Sequence, residues 1–356
     1  MPNKEKWPWA WPVLIAGPCS AESRNQVMET AKAIKALNIP RLKIFRAGIW
    51  KPRTRPNTFE GIGVEGLSWL SEVKSETGLL VATEVANSKH VEQALKYGID
   101  ILWIGARTTS GPFAVQEIAD ALSGTNIPVL VKNPVGPDLA TWIGAIERLT
   151  HVGLTQVAAI HRGFTHLGGI TYRNDPVWKM AIDLKSKMPD LPIICDPSHI
   201  AGKRNLIAQV CQKALDIDLD GLMIETHLDP DHALSDSEQQ ITPHTLKDLI
   251  NNLSFKKELG GDAHFSAELD QLRAQIDRLD RELIECLSMR QKIVEKIGQQ
   301  KKLKNITALQ KSRMMELMKE RIDLAKKLGL SEEYIEDIFQ SIHAESVRLQ
   351  TEIMKK

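Results

Sequence analysis

The sequence has little cysteine, little net charge and no long apolar stretch. Its 356 residues include four cysteines, too few for a disulfide scaffold in a chain of this length. The 46 basic and 45 acidic side chains leave a formal charge of +1, which gives no support for a nucleic-acid-binding protein. No apolar run approaches the roughly 20 residues of a membrane span, and the N-terminal residues lack the apolar core of a signal peptide. These absences predict a reduced, cytoplasmic protein.

Proline and tryptophan are missing from the last third of the chain. All 17 prolines and all 8 tryptophans lie at or before Pro243, and only two glycines follow Gly261. Charge is balanced on both sides of this change, so the change reflects architecture rather than a charged tail. It predicts an α/β domain over 1–253, a linker with a Gly-Gly pair over 254–265 and an almost uninterrupted helical domain over 266–356.

Eight short apolar runs divide the first domain. Each run is continuous rather than alternating, which is typical of strands buried on both faces of a parallel sheet. Eight strands that alternate with amphipathic helices over about 230 residues predict a (β/α)8 TIM barrel. The alternative is a doubly wound open sheet, which usually has fewer strands, and no Gly-rich dinucleotide motif follows the first run. The runs span 13–20, 42–48, 79–85, 101–107, 128–134, 157–164, 192–199 and 221–228.

Polar, reactive side chains stand at the C-terminal ends of these runs. In a TIM barrel the ends of different strands build the active site at one face. Six of the side chains are cations, and buried like charges are stable together only when anions neutralise them. Arginine and lysine suit phosphate and carboxylate oxygens, so the pattern predicts anionic substrates. The cations are Arg46, Lys51, Arg53, Arg107, Lys132 and Arg162, and the uncharged or acidic side chains at strand ends include Glu84, His161 and His227.

A second group at the strand ends has the donor atoms of a transition-metal site. Cys19, His199 and Glu225 offer a thiolate, an imidazole and a carboxylate, and the loop 229–240 adds further acids. Such a mixed set suits a divalent metal that acts as a Lewis acid. Taken alone, Cys19 is equally compatible with a small buried side chain. Cys195 falls inside the seventh run and is interpreted as part of the barrel filling.

The first domain carries a set of short motifs near its strand ends. They are GPCS (17–20), FRAGIWKPRT (45–54), IGAR (104–107), HRG (161–163), DPSH (196–199), IETH (224–227) and ALSD (233–236). Together they resemble those of the 3-deoxy-D-arabino-heptulosonate 7-phosphate (DAHP) synthases, in the short branch that consists of the core barrel. KPRT distinguishes this family from the related 3-deoxy-D-manno-octulosonate 8-phosphate synthases, which have a different Asn-containing motif there. Arg55 departs from the family, which usually has Ser after KPRT.

The resemblance implies an aldol-like condensation of phosphoenolpyruvate with erythrose 4-phosphate. C3 of phosphoenolpyruvate attacks the aldehyde, water adds at C2, and phosphate leaves. The residues implied to bind substrate are Arg107, Lys132 and Arg162 for phosphoenolpyruvate, Arg46 and Lys51 beside its carboxylate and the aldehyde, and Arg53 and Thr54 for the sugar phosphate.

The same resemblance implies a bound divalent metal, Mn²⁺ in this family, which polarises the aldehyde. Lys51 then supplies a proton to the developing alkoxide, and Glu84 handles the attacking water. Because ALSD matches the family motif, its Asp236 is favoured over Asp229 and Asp231 as the acidic metal ligand. The implied metal ligands are Cys19, His199, Glu225 and Asp236.

Three tryptophans, Trp7, Trp9 and Trp11, precede the first strand, which begins at about Val13. With so short a segment before this strand, we expect no N-terminal regulatory domain. We expect these side chains to plug the bottom of the barrel, with packing on a partner as the alternative.

The last domain has apolar residues at helical three- and four-residue spacing from 269 to 297. They predict a helix of over 30 residues, about 45 Å long, which has no core of its own and needs partners. Breaks near Asn305 and at Gly329 predict two more helices at about 306–328 and 331–353. A coiled-coil dimerisation tail would explain this pattern equally well, whereas a nucleic-acid-binding coiled coil agrees poorly with the near-neutral charge.

The segment ELDQLRAQIDRLDRELIECLSMRQKIVEKIGQQKK resembles the all-helical chorismate mutases, and the resemblance runs from about 266 to 353. It implies that arginines clamp the two carboxylates of chorismate. Lys301 and Gln350 would bond the ether oxygen, where negative charge builds in the transition state of a rearrangement that needs no covalent catalyst. Gln310 and Met314 depart from the family, in which acids are common there, so the contact to the substrate hydroxyl is lost or supplied otherwise. The implied ligand-binding positions are Arg273, Arg290, Lys301, Arg313, Ser346 and Gln350.

The spacing of two arginines also predicts assembly. Arg273 and Arg290 are 17 residues apart, about 25 Å along a helix and too far to hold one small dicarboxylate. We therefore expect Arg273 to come from a partner chain in an intertwined homodimer. The main hypothesis is a bifunctional shikimate-pathway enzyme with a barrel synthase and a helical mutase on one chain. Inhibition of the synthase by prephenate is a further hypothesis. The alternative is a synthase with a weak or inactive mutase-like domain that serves regulation and dimerisation.

Overall fold

The computed structural model describes residues 7–9, 11–51, 59–165, 171–255 and 263–355. It divides into two compact units, Met1–Glu258 and Leu259–Lys356. The predictions for Arg53, Thr54 and Arg55, and for much of the linker, lie outside the described residues.

The first unit is a closed barrel of eight parallel strands in sequence order, which confirms the predicted TIM barrel. The first and last strands pair to close it, with Gly17 opposite Glu225. The strands are β1 (Val13–Gly17), β2 (Leu42–Arg46), β3 (Leu80–Val85), β4 (Ile101–Ile104), β5 (Val129–Lys132), β6 (Val157–His161), β7 (Ile193–Cys195) and β8 (Gly221–Glu225).

Helices follow the strands and begin at recognisable caps. The side chains of Ser23 and Asp138 accept hydrogen bonds from backbone N–H groups of the first turn, and Pro112 and Pro243 open two others. The helices of this unit are α1 (Arg24–Ala36), α2 (Glu65–Thr77), α3 (Ser88–Lys96), α4 (Ala106–Thr109), α5 (Pro112–Leu122), α6 (Leu139–His151), α7 (Trp178–Lys187), α8 (Pro197–Ala201), α9 (Ile207–Asp216) and α10 (Pro243–Asn252).

The barrel has an inner filling and an outer layer between strands and helices. Trp7 and Trp9 are buried with the inner filling, beside residues such as Val13 and Ile194, which confirms the predicted plug. The prediction for Cys195 is wrong. Successive strand residues point to opposite faces, so Ile194 fills the barrel and Cys195 packs in the outer layer.

The second unit consists of three helices, α11 (Ala263–Leu303), α12 (Lys311–Lys327) and α13 (Glu332–Lys355). The 41 residues of α11 make it about 60 Å long, and α13 packs against both other helices. A Cβ on Gly298 would lie 3.3 Å from Gln350 Cα, so this glycine lets α11 and α13 approach closely. Among the described residues no helix is both long and apolar enough to cross a membrane.

Candidate active sites

A polar cavity of about 270 Å³ opens at the C-terminal ends of the strands. Strand alternation explains which predicted residues point toward it. Glu84, Lys132 and Arg162 each lie two positions after a residue of the inner filling, namely Ala82, Leu130 and Ile160. The other cavity residues lie in the segments that follow the strands. The predicted residues that line the cavity are Lys51, Glu84, Arg107, Lys132, Arg162, His199 and Asp236.

Two histidines of the strand-end set do not line the cavity. His161 follows the inward-facing Ile160 and therefore points outward, where its ring packs among Trp142, Phe164 and Trp178. Burial there lowers the pKa of His161 to about 4. His227 Nε2 lies 3.7 Å from a carboxylate oxygen of Glu22.

The four predicted metal ligands converge beside the cavity. Donor atoms of Cys19, Glu225 and Asp236 all lie within 4.8 Å of one another. Cys19 Sγ is 3.4 Å from Asp236 Oδ2. His199 Nε2 is 3.7 Å from Glu225 Oε1 and 3.9 Å from Asp236 Oδ2. A thiolate, an imidazole and two carboxylates fit a divalent transition metal.

The electrostatics of this cluster also fit a cation. Burial raises the pKa of the Cys19 thiol to about 12, and the charge of Glu225 adds to the effect. Burial acts to raise the pKa of Asp236, but His199 and Arg173 outweigh it and hold that pKa below its usual range. Glu225 is fully buried, and its Oε1 has no hydrogen-bond partner among the described residues. A metal ion would satisfy that oxygen and stabilise the thiolate.

Arg46 lies behind the cluster and is 1% exposed. One guanidinium nitrogen donates to the carbonyl of Cys19 at 3.1 Å, and another lies 3.4 Å from Glu225 Oε1. The guanidinium also stands 4.9 Å above the ring of Trp103. Arg46 is thus a buried counter-charge for the cluster.

The rest of the cavity is cationic. Arg107, Lys132 and Arg162 line it together. Burial lowers the pKa of Arg162 to about 10, and the charges of Arg173 and Arg107 act in the same direction. The group is still charged at neutral pH, so the cavity favours an anion that offsets this repulsion.

The helical unit gathers a second polar cluster between α11 and α13. Arg290 Nη1 donates to Ser346 Oγ at 2.6 Å, and Lys301 Nζ donates to the carbonyl of Ala308 at 2.7 Å. Gln350 is buried, and its Oε1 lacks a hydrogen-bond partner within the described part of the chain. Four of the six predicted ligand-binding side chains therefore lie in this part of the helical unit.

The other two arginines that were predicted to bind the ligand do not lie in this cluster within one chain. Arg273 is exposed on α11 and pairs with Asp270 at 3.2 Å. Arg313 is exposed on α12 and pairs with Glu316 at 2.6 Å.

Comparison with known proteins decides the family. Residues 11–259 match the model of the DAHP synthetase I family. The chain belongs to this family. Residues 272–351 match the chorismate mutase type II model, so the chain is a bifunctional enzyme with a DAHP synthase barrel and a chorismate mutase domain.

Relatives of the synthase barrel agree with this assignment. A phospho-2-dehydro-3-deoxyheptonate aldolase of Thermotoga maritima is 31% identical over 240 residues, which cover 67% of this chain and 68% of the relative. A solved DAHP synthase structure from Thermotoga maritima has a TM-score of 0.60 at 30% identity and covers 67% of each chain. A 2-dehydro-3-deoxyphosphooctonate aldolase of Rhodopseudomonas palustris is 28% identical over 258 residues, which cover 67% of this chain and 86% of the relative.

The synthase site also contains residues that the sequence did not reveal. The carboxylate of Asp196 lies between Lys132 and His199 and contacts both. Its position in the DPSH motif is the sequence feature that could have identified it as a site residue. Asn174 accepts from Arg162 Nη1 at 2.8 Å, and Arg173 contacts Asp236. Both lie in a loop after β6, where no local pattern identifies a partner.

The mutase cluster likewise gains two residues. His343 on α13 has its pKa lowered by burial and by the cations Arg290, Arg321 and Lys301. Arg321 on α12 has its pKa lowered by burial and by Arg290, and its guanidinium stands 4.6 Å above the ring of Phe339. Charged residues on exposed helices are common, so neither stood out in the sequence.

Proposed function

We propose that the barrel catalyses the metal-dependent condensation of phosphoenolpyruvate with erythrose 4-phosphate to DAHP and phosphate. The observation that carries this proposal is one mouth that contains both a cationic cavity and a Cys–His–Glu–Asp cluster. The cationic cavity suits an anionic enol phosphate, and the Cys–His–Glu–Asp cluster suits a metal that acts on an aldehyde.

Arg107, Lys132 and Arg162 bind the phosphate and carboxylate of phosphoenolpyruvate in this proposal. Support comes from their shared cavity and from the repulsion that an anion would offset. Arg46, which lies 3.4 Å from Glu225 Oε1, keeps that carboxylate paired. Arg53 and Thr54, which lie outside the described residues, are the proposed ligands of the sugar phosphate.

Cys19, His199, Glu225 and Asp236 are the proposed metal ligands, with Mn²⁺ as the expected ion. When bound, the ion supplies Lewis-acid polarisation of the aldehyde. Lys51 lines the cavity with its Nζ 3.3 Å from Cys19 Sγ, so it can give a proton to the aldehyde oxygen.

Glu84 is the proposed residue for the water that adds at C2. Trp103 Nε1 donates to Glu84 Oε2 at 3.0 Å, which fixes the carboxylate at the edge of the cavity. A Cβ at Gly105 would lie 2.1 Å from Glu84 Oε1, so only glycine leaves space for this carboxylate.

The test of the synthase proposal is an assay of the full-length protein with phosphoenolpyruvate and erythrose 4-phosphate. We expect a chelator to abolish DAHP formation and Mn²⁺ to restore it. Mutase activity in the same sample is the internal control, because the rearrangement needs no metal. Full synthase activity in excess chelator would contradict the metal proposal.

We further propose that the helical domain converts chorismate to prephenate, with Arg290, Ser346, Arg313 and Arg273 at the carboxylates and Lys301 with Gln350 at the ether oxygen. The polar cluster between α11 and α13 supports this assignment. The alternative, a weak or inactive mutase domain, is favoured by Gln310 and Met314. Mutase assays of the full-length protein and of Arg290→Ala separate the two, since an inactive domain gives no rate that the substitution could lower.

A homodimer through the helical domain is the proposed assembly. The first half of α11 has an apolar stripe at helical spacing with no partner in the described chain, and its members are 42–61% exposed. A second copy would cover the stripe and bring Arg273 toward the partner's cluster. A monomer by light scattering at assay concentration would contradict this proposal. The stripe consists of Leu272, Ile276, Leu279, Leu283 and Leu287.

Prephenate feedback on the synthase is the remaining proposal. It is supported by the presence of a domain that forms prephenate on the same chain as the synthase. We expect prephenate to lower the synthase rate of the full-length protein, and Arg290→Ala to abolish this effect. Unchanged synthase rates at prephenate concentrations that demonstrably bind would contradict it.

A further inference from the structure

Both carboxylates of the proposed metal cluster are held from outside by one short chain of hydrogen bonds. Arg173 Nη1 lies 3.0 Å from Asp236 Oδ1 and 2.6 Å from Gln239 Oε1. The amide nitrogen of Gln239 donates in turn to Glu225 Oε2 at 2.6 Å. Arg173 therefore reaches Asp236 directly and Glu225 through Gln239.

This chain uses one oxygen of each carboxylate and leaves the other facing the cluster. Asp236 Oδ2 is the oxygen near Cys19 Sγ, at 3.4 Å, and Glu225 Oε1 is the oxygen near His199 Nε2, at 3.7 Å. A carboxylate whose outer oxygen is held cannot rotate freely, so its inner oxygen stays directed at the cluster. Such outer contacts orient metal ligands in many proteins.

The chemistry of Gln239 allows this network in one orientation only. Its amide oxygen accepts from the guanidinium of Arg173, which can only donate hydrogen bonds. Its amide nitrogen donates to the carboxylate of Glu225, which can only accept them. The side chain is 1% exposed, so a flipped amide would leave two buried groups facing partners of the wrong kind. The network is thus fixed by hydrogen-bonding capacity as well as by packing.

The backbone around the network makes room for it. A Cβ on Gly202, whose φ is +67°, would lie 2.3 Å from Arg173 Cβ. Asp236 itself has a φ of +49°, a left-handed conformation that most residues avoid. The ion pair with Arg173 offsets part of the cost of that conformation.

We propose that Arg173 and Gln239 are positioning residues that preset Asp236 and Glu225 for the metal ion. This inference rests on the proposed function, because it needs a metal at Cys19, His199, Glu225 and Asp236. Neither residue is required to touch the substrates for this role.

Gln239 provides the sharper test because it is absent from the residues that line the substrate cavity. Gln239→Leu removes both hydrogen bonds, and Gln239→Glu keeps an acceptor for Arg173 but loses the donor to Glu225. In metal-free full-length protein titrated with Mn²⁺ and followed by the electron paramagnetic resonance of free Mn²⁺, we expect both variants to bind about tenfold or more weakly. Arg24→Met, which removes the exposed pair with Glu72, is the control and should bind within twofold of wild type.

A second readout separates positioning from a general loss of structure. Co²⁺ bound by the wild-type cluster should give a visible absorption spectrum that changes in Gln239→Leu. The metal-free variant should still unfold cooperatively, at a moderately lower melting temperature because Glu225 loses a buried hydrogen-bond donor. Arg173→Met, whose side chain is 48% exposed in the native protein, is the second variant if Gln239→Leu does not fold. Wild-type Mn²⁺ affinity and an unchanged Co²⁺ spectrum in the variants would overturn the inference. Failure of the wild type itself to bind Mn²⁺ would overturn the metal proposal on which it rests.

Discussion

Lys132 Nζ lies 2.8 Å from Asp196 Oδ2, and both side chains are buried. The same carboxylate oxygen lies 2.8 Å from His199 Nδ1. Burial acts to raise the pKa of Asp196, but His199 and Lys132 outweigh it and hold that pKa well below its usual range. One charged carboxylate thus joins a proposed phosphoenolpyruvate ligand to a proposed metal ligand.

We expect Asp196→Asn to lower the kcat/KM of the synthase by about 100-fold or more. The change leaves Lys132 buried without its counter-charge, and losing one partner of a buried pair costs about 3 kcal/mol or more. It also removes the carboxylate that fixes the orientation of the His199 ring. Steady-state synthase kinetics measure the effect, and an unchanged tryptophan fluorescence spectrum shows that the barrel, which contains all eight tryptophans, is still folded. A decrease of less than fivefold would mean that Asp196 is dispensable.

Stability of the barrel should fall between pH 6.5 and pH 5 because of His161. Burial lowers the pKa of its imidazole from 6.5 to about 4. In this window the unfolded chain binds a proton that the folded barrel does not, so acid favours unfolding. The contribution of the neutral His161 imidazole to the free energy of unfolding is fully present above pH 6.5 and is lost as the pH falls toward 4. The contribution of His161 to this loss is about 1.5 kcal/mol down to pH 5.

The matched variant is His161→Phe, which places a ring that does not titrate among Trp142, Phe164 and Trp178. All eight tryptophans lie in the first unit, so denaturant unfolding followed by tryptophan fluorescence reports on the barrel alone. We expect the variant to lose about 1.5 kcal/mol less than wild type between the two pH values. Parallel pH profiles of the two proteins would show that His161 is not responsible.

Strand alternation made much of the barrel site predictable. Arg46, Glu84, Lys132 and Glu225 each stand two residues beyond a buried apolar residue, so the sequence pattern places them on the inner face. The same rule, applied more strictly, excludes His161 and Cys195, which lie one residue out of phase. For His161 the error came from treating every polar residue at a strand end as inward-facing, and for Cys195 from assigning it to the barrel filling because it lies within a strand.

The network of Arg173 and Gln239 could not be predicted in the same way. The two residues are 66 positions apart and lie in loops, where side-chain direction follows no period. Their partnership depends on how two loops meet in the folded barrel. The helical domain was more predictable. Its three helices follow from apolar spacing, and α11 ends close to the predicted break at Asn305, whose φ of +52° turns the chain so that Ile306 N donates to the carbonyl of Lys301.

The mutase domain should depend on the contact between Arg290 and Ser346. We expect Ser346→Ala to lower mutase kcat/KM roughly 10- to 100-fold, because a hydrogen bond to a charged group is worth about 1.5–3 kcal/mol and its loss frees the guanidinium. Arg348→Ala is the control on the same helix. Its exposed pairs with Glu345 and Glu352 contribute little, so we expect less than a twofold change. Equal effects of the two substitutions would contradict the special role of Ser346.

Mixed dimers test whether each mutase site takes residues from two chains. Arg273 and Arg290 lie on one helix about 25 Å apart, so a single chain cannot bring both to one small substrate. We expect Arg273→Ala and Arg290→Ala each to lower mutase activity at least 100-fold when assayed alone. Unfolded together and refolded as a mixture, they should form dimers in which one of the two sites has both arginines.

The expected result is quantitative. Random pairing of equal amounts gives about half mixed dimers, each with one intact site, so the mixture should recover about a quarter of the wild-type rate. A mixture of Arg290→Ala with Lys301→Ala is the control, because both side chains lie in the polar cluster of a single chain. In that mixed dimer each of the two sites carries one of the two defects, so the mixture should stay inactive. Recovery of about a quarter of the wild-type rate by Arg273→Ala with Arg290→Ala, and none by the control mixture, requires that Arg273 and Arg290 come from different chains.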